Sequence, residues 1–324
     1  MENSVGLGES LKGIIRKSDT LNIVATQFYT SVVQPYKIIN LAKARGLKVE
    51  YSASAIDVFS ATSRIRISRS HAIYLQDVIG NFDYFSEAVE AGEAGLIDYS
   101  KPNLHQVKGF DLHPIRFPSL AEPTATTEQY LGFANLSEGS VALDLGAYSG
   151  LTSIMFRELC GTDGRVIAVD ADDGNIAAIR ENVEMYQERT GRKIELLEGA
   201  VWTHGNGISF SSEGNMGSSA VEIVGNRVGA ANLVPSFTLS DIADRFSLDR
   251  IDFIKCDIEG GEGVIFTDGP FFVRFKPRII VEVHPVGGKM TTDAVQRALS
   301  PHGYRFRMIE QAGDSLPLME CWTD

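Results

Sequence analysis

A chain of 324 residues with 44% hydrophobic and 22% charged residues has an ordinary globular composition, and it is long enough to bury one large core or two unequal ones. Its formal net charge of −12 argues against nucleic acid or an anionic membrane as the main partner, because both need a basic face. The cysteines Cys160, Cys256 and Cys321 are odd in number and far apart, which argues against a disulfide framework or a zinc site of the usual spacing. The N-terminus lacks a basic stretch followed by a hydrophobic one, and no window is apolar for the length of a bilayer. A cytoplasmic protein without a transmembrane segment is expected.

In chain order, the first 20 or so residues are polar and Gly-rich and are expected to be loosely held. Phe28, Val32, Tyr36 and Ile39 recur at helical spacing between Leu21 and Arg45, with Pro35 interrupting and Gly46 a plausible stop. Ser63–Ser68 alternates as a half-exposed strand does. Leu75, Val78, Phe82, Phe85 and Val89 then predict one amphipathic helix ending near Gly92. A turn-rich passage with Pro102, Pro114, Pro118 and Pro123 follows, and a domain boundary is expected near Ser100. This divides the chain into an accessory region, 1–100, and a second domain, 101–324. The hydroxyls around Thr124, with Glu128 after them, predict a helix entering that domain.

From Val141 the pattern is a regular alternation of strand and helix. The run Val141–Leu145 breaks at Gly146-Ala147-Tyr148-Ser149-Gly150 and restarts at Leu151 as a helix. A dinucleotide loop needs glycine at its first, third and sixth positions; here these are Gly146, Tyr148 and Leu151, so two of three fail. The pattern present is Asp144-x-Gly146-x-x-x-Gly150, in which the acid would repel a pyrophosphate but suits the amino-acid end of a neutral or zwitterionic cofactor. It resembles the first motif of class I S-adenosylmethionine (SAM) methyltransferases. Further strands are expected at Val166–Asp170, Ile194–Leu197, Ile251–Asp257 and Arg278–His284, with helices at Asn175–Glu188, Leu239–Phe246 and Val295–Leu299. Trp202–Gly229 reads as an irregular insertion with a hairpin, and Tyr304–Ile309 with Leu316–Trp322 as a closing antiparallel hairpin.

Asp144, Asp170 and Asp257 each fall at or near a strand end, so one crevice should hold all three. Asp170 follows Asp144 at the spacing of an acid that accepts ribose hydroxyls. The segment Asp252-Phe-Ile-Lys255-Cys-Asp257-Ile-Glu259-Gly260-Gly261-Glu262 resembles the signature of the FkbM-type methyltransferases, SAM-dependent enzymes that mostly methylate hydroxyl oxygens of sugars and polyketides. Ala200-Val201-Trp202, the hairpin insertion and Val281-Glu282-Val283-His284-Pro285 match as well, and the likeness runs from about Gly109 to the C-terminus. It implies a Rossmann-like, mostly parallel seven-stranded sheet with an N-terminal accessory domain. It also implies a cofactor site of Asp144, Gly146, Tyr148, Gly150, Asp170, Ala200 and Asp257. Tyr148 departs from the family, which usually carries Asn there.

SAM brings its own leaving group, so the protein must supply position and a proton acceptor for a hydroxyl. Strand period puts Glu282 and His284 on one face, next to Asp257. His284 is the first choice of general base, assisted by Asp257 or Glu262, with no metal assigned. An alternative has Asp257, Glu282 and His284 bind a divalent cation, as in the catechol-type enzymes, although Lys255 and a lone histidine make a poor oxygen cage. His71, His105, His113, His204 and His302 show no partner pattern. The expected substrate is a small molecule or glycan hydroxyl. The first hundred residues are expected to select it or to build a homo-oligomer, and a non-catalytic SAM-fold binding protein is the remaining reading.

Overall fold

The computed structural model describes residues 34–89, 91–107, 109–120, 124–211, 219–220, 231–311 and 316–324. The expected loose N-terminal stretch, the Phe28 and Val32 turns and much of the insertion lie outside them. Contacts divide the chain into two compact units, Met1–Phe82 and Asp83–Asp324, and the division falls ahead of Ser100.

In the first unit, helix α1 (Gln34–Ala44) carries Pro35 in its first turn, where a missing N–H leaves no bond unmade. It ends in a Schellman motif: Gly46 takes φ +69°, the Gly46 amide donates to Lys43 O, and the Leu47 amide donates to Ala42 O at 2.8 Å. Strands β1 (Lys48–Tyr51), β2 (Ala55–Phe59) and β3 (Arg64–Ser68) form an antiparallel meander. Ile65 and Ile67 of β3 are fully buried and alternate with polar residues, as the sequence predicts. Arg64 and Arg66 both clasp Asp57 of β2, at 2.6 and 2.8 Å.

The single amphipathic helix expected from Leu75 to Gly92 is two helices, α2 (Leu75–Gly80) and α3 (Phe82–Glu87). Asn81 leaves helical geometry, and both its amide and its side chain donate to Asp77 O. Such local bonding by Asn competes with continuation of the helix.

The second unit adds the antiparallel pair β4 (Asn103–His105) and β5 (Ile115–Phe117), then α4 (Thr124–Ala134). The helix and strand alternation that follows is β6 (Val141–Leu145), α5 (Leu151–Cys160), β7 (Arg165–Asp170), α6 (Asp173–Thr190) and β8 (Glu195–Glu198). The insertion is a three-stranded antiparallel sheet rather than one hairpin, with β9 (Ile208–Ser211) between β10 (Ser219–Ala220) and β11 (Ala231–Val234). Ile208, Phe210 and Ala220 bury one face of it with Ala200 and Trp202.

Helix α7 (Leu239–Arg245) starts in a capping box: the Asp241 amide donates to Thr238 Oγ1 at 3.0 Å and the Thr238 amide to Asp241 Oδ2 at 2.8 Å. Then come β12 (Phe253–Cys256), α8 (Glu262–Ile265), α9 (Gly269–Arg274), β13 (Arg278–Glu282), α10 (Thr292–Leu299), β14 (Arg305–Ile309) and β15 (Leu318–Trp322). The seven main strands lie in the order β14-β15-β13-β12-β6-β7-β8, parallel except where β15 pairs antiparallel with β13 and β14. β6 and β12 are buried along their whole length, hence their near-continuous apolar runs. From β6 the chain moves outward to β7 and β8, then returns to β12 on the other side. The carboxyl ends of β6 and β12 are therefore the topological switch point, where open α/β sheets bind ligands.

Candidate active site

Two loops leave the sheet at that point, and they touch. Gly146 has φ +75°, and a Cβ on it would stand 1.7 Å from the carbonyl oxygen of Asp257. Only glycine satisfies both the left-handed conformation and the close approach. The amides of Gly146 and Ala147 both donate to Val169 O, tying the turn to β7. Asp144 lies beneath this turn, fully buried, with Oδ2 accepting from Thr152 Oγ1 and Ser153 Oγ at 2.6 Å each. Lys255, its neighbour across β12, is 1% exposed; its Nζ donates to Gly146 O at 2.6 Å and stands 3.5 Å from Asp144 and 3.6 Å from Asp257. Asp144 thus has an internal role. Its charge fixes the first turn of α5 and is balanced by Lys255.

Tyr148 also turns away from the loop mouth: its hydroxyl lies 2.7 Å from Leu120 O and 2.9 Å from Ser119 Oγ. Its phenol therefore supports the β5 side of the domain. Its amide serves the site, donating to Asp170 Oδ2 at 2.9 Å. Asp170 Oδ1 accepts from the Asp172 amide at 3.0 Å, and Asn175 Nδ2 reaches both oxygens, at 3.2 and 3.4 Å. Burial lifts the Asp170 pKa to about 6, against the pull of these donors and with a push from Asp172. Gly150 caps α5 at φ +78° against Ile179, and Ala200, nearly buried, begins the segment after β8.

The second cluster gathers around His284. Its amide and its Nδ1 both meet Glu262 Oε1, at 2.9 and 3.1 Å. Glu262 is fully buried and also accepts from Thr291 Oγ1 at 2.8 Å and from the Gly260 amide at 2.9 Å. On the other side of the ring, Nε2 stands 3.5 Å from Glu259, 3.7 Å from Asp257 and 3.8 Å from Glu282. Burial works against the imidazolium, but the bond to Glu262 and the charges of Glu259 and Asp257 outweigh it and lift His284 to about 10. Burial, opposed by His284 and reinforced by Asp257, raises Glu259 to about 8. Burial and Asp257 raise Glu282 to about 7. Glu262 moves the other way: its burial is outweighed by His284, which keeps it below the usual carboxylate range.

The sequence-predicted residues fall into two groups. Asp257, Glu262, Glu282 and His284 come together, whereas Asp144 and Tyr148 lie behind the loop they shape. Sequence reasoning missed Glu259 as a member of the cluster. The signal was its two-residue spacing from Asp257, masked because Glu259 takes φ +53°, a conformation rare outside glycine and invisible to strand periodicity. Lys255 was read as an obstacle to cation binding, yet its ammonium is committed to the Gly146 turn.

A switch point between β6 and β12, with a glycine turn and an acid at the end of each strand, defines a class I SAM-dependent methyltransferase. The model of the methyltransferase FkbM domain matches residues 144–306, and the chain belongs to the FkbM methyltransferase family. Among solved structures it is similar to a methyltransferase FkbM from Methylobacillus flagellatus, with 15% identity and TM-score 0.44 over 91% of this chain and 60% of that one. A precorrin-6y C5,15-methyltransferase from Geobacter metallireducens gives 16% identity and TM-score 0.42 over 63% and 91%. A SAM-dependent O-methyltransferase from Thermotoga maritima gives 11% and 0.39 over 63% and 66%. No curated protein matches the chain significantly. The cofactor expected of the family, SAM, fits the donor set: carboxylates at the ends of β7 and β12 suit a ribose diol and a cationic amino acid, and the turn between them carries no side-chain cation.

Proposed function

We propose that this enzyme transfers the methyl group of SAM to a hydroxyl oxygen of a sugar, glycan or polyketide-type metabolite. The observation that carries this reading is the buried Glu262–His284 pair, whose imidazole faces the strand end beside Asp257. A hydroxyl must lose its proton as its oxygen is methylated, and a carboxylate-oriented imidazole is suited to that work. When bound, SAM supplies a methyl group on sulfonium, an activated leaving group. Asp170 would hold the ribose and Asp257 the amino-acid end, while the Gly146–Gly150 turn and Ala200 would shape the remaining walls. His284, held in orientation by Glu262, would accept the proton in its neutral form, so turnover should rise as pH climbs toward its pKa of about 10.

The formal net charge of −12 favours a small-molecule or glycan acceptor over nucleic acid. Among the described residues, no helix is long and apolar enough to cross a membrane, and all three cysteines are free and buried. Both facts accord with a cytoplasmic setting. The first unit carries none of the cofactor motifs, and we assign it acceptor selection or self-association.

The test joins binding to turnover. S-Adenosylhomocysteine, but not NAD, is expected to raise the thermal midpoint. In a methyl-transfer screen with hydroxylated acceptors, His284→Ala is expected to lower turnover by roughly 10²-fold while SAM affinity stays nearly intact. Stabilisation by NAD alone, or equal turnover in wild type and His284→Ala, would defeat the proposal.

A further inference from the structure

We infer that Asp257, Glu259 and His284 form a site for one divalent first-row metal ion at the carboxyl end of β12. Only its role, holding the acceptor oxygen, rests on the function proposed above; the binding itself does not. One ligand atom from each of the three lies within 4.8 Å of the others. His284 Nε2 is 3.5 Å from Glu259 Oε2 and 3.7 Å from Asp257 Oδ1. Atoms bound at about 2.1 Å around a common ion stand about 3.0–3.4 Å apart, so Nε2 lies within a few tenths of an ångström of ligand spacing from each carboxylate, and the two carboxylates have to close from within 4.8 Å.

The histidine is the independent observation. It is 5% exposed, and three carboxylates surround its Nε2 at 3.5 to 3.8 Å. Its Nδ1 is pinned by Glu262, which is itself pinned by Thr291 and the Gly260 amide. A carboxylate that fixes one ring nitrogen and presents the other is the usual outer arrangement of a metal-bound histidine.

Charge points the same way. Asp257, Glu259 and Glu282 all lie within 3.8 Å of Nε2. Like charges crowded around a nearly buried nitrogen repel one another, and a divalent ion among them removes that cost. Glu282 stays outside the ligand set, with Oε2 bonded to Gln311 Nε2 at 2.9 Å, and contributes charge from 3.8 Å. Lys255, the adjacent cation, donates to Gly146 O and stands 3.5 Å from Asp144 and 3.6 Å from Asp257 Oδ2, while Asp257 Oδ1 faces Nε2. One imidazole with two carboxylates favours Mn²⁺ or Zn²⁺ over the all-oxygen preferences of Ca²⁺ and Mg²⁺. Three protein ligands leave positions open for a hydroxyl oxygen, whose pKa the ion would lower; with Nε2 on the ion, the hydroxyl proton would leave to Glu282 rather than to His284.

The test uses the full chain, stripped with chelator and titrated calorimetrically with Mn²⁺ alone and with Zn²⁺ alone. One saturable site is expected. Glu259→Gln and His284→Ala are expected to weaken it about 10- to 100-fold, and Glu262→Gln to weaken it through the orientation of His284. S-Adenosylhomocysteine binding, measured on the same samples, reports whether each variant is folded. Saturable binding of at least one of the two ions supports the inference; absence of a saturable site in wild type, or equal affinity in wild type and Glu259→Gln, overturns it. Loss of S-adenosylhomocysteine binding by wild type would instead overturn the proposed function and leave the cation result standing.

Discussion

Asp170 is built into the fold by three donors and is also the residue proposed to hold the ribose. Three donors already point at it, yet a carboxylate has about four lone-pair positions, so one remains for an incoming hydroxyl. Asp170→Ala is expected to weaken SAM binding by on the order of 2 kcal/mol, the loss of a charge-assisted bond. The same carboxylate sets a pH dependence. Its pKa rises to about 6, pushed by burial and by Asp172, so it becomes protonated as pH falls through that value and then accepts hydroxyl protons poorly. Affinity for S-adenosylhomocysteine should therefore fall between pH 7.5 and pH 5. The linked stability runs in the same pH window with the opposite sign: an acid whose folded pKa is raised above 3.8 costs stability as pH rises from about 4 to about 6. Calorimetry of wild type and Asp170→Asn at the two pH values checks this, since the amide cannot titrate. A flat profile in wild type removes Asp170 from the cofactor site.

At the scale of elements, the site depends on how closely two strand-end loops approach. The carbonyl of Asp257 occupies the space where residue 146 would carry a Cβ, and the Asp257 amide in turn donates to Leu145 O at 3.0 Å. Gly146→Ala must therefore part the β6 loop from the β12 loop or strain the left-handed turn, at a cost of about 1–3 kcal/mol or more. We expect a lower urea midpoint and loss of S-adenosylhomocysteine binding together. A variant with unchanged midpoint and affinity would show that the loops separate freely. Lys255 belongs to this scale as well. It bridges the two loops through Gly146 O and Asp257, and its charge is tolerated in a buried strand only because Asp144 lies opposite.

At the scale of the whole molecule, the residues proposed to hold the cofactor all fall within the second unit, Asp83–Asp324. Tyr99 belongs to that unit's core: its hydroxyl donates to Phe85 O at 2.7 Å and its ring meets His105 edge-on. Cutting near Ser100 would remove Tyr99 and open a cavity beside His105 and Phe117. A chain beginning at Asp83 is expected to fold and to bind S-adenosylhomocysteine as the full chain does. Circular dichroism and calorimetry check the two parts, and a folded truncation without cofactor affinity would show that the first unit completes the site.

From Val141 onward the elements were legible because each is coded locally. Apolar runs of strand length alternate with helical spacing, and Gly146 and Gly150 mark the turn. Asp144, Asp170 and Asp257 could be placed at strand ends, and Glu282 and His284 on one face, from the same period, while Glu262 was legible only as part of the signature segment. What the sequence does not carry is orientation. Whether Asp144 faces a ligand or the first turn of α5, and whether Tyr148 covers the crevice or reaches Leu120, is decided by residues 8 and more than 25 positions away. The membership of Glu259 depends on a left-handed backbone at a non-glycine residue, which only the surrounding tertiary contacts can hold in place. Periodicity likewise extends through Asn81, where local hydrogen bonds divide one expected helix into two. Sequence thus determined the order of the elements and the chemistry gathered at one end of the sheet. Packing over long separations in the chain decided which of those side chains face the crevice, because a side chain's direction is set by its neighbours in space.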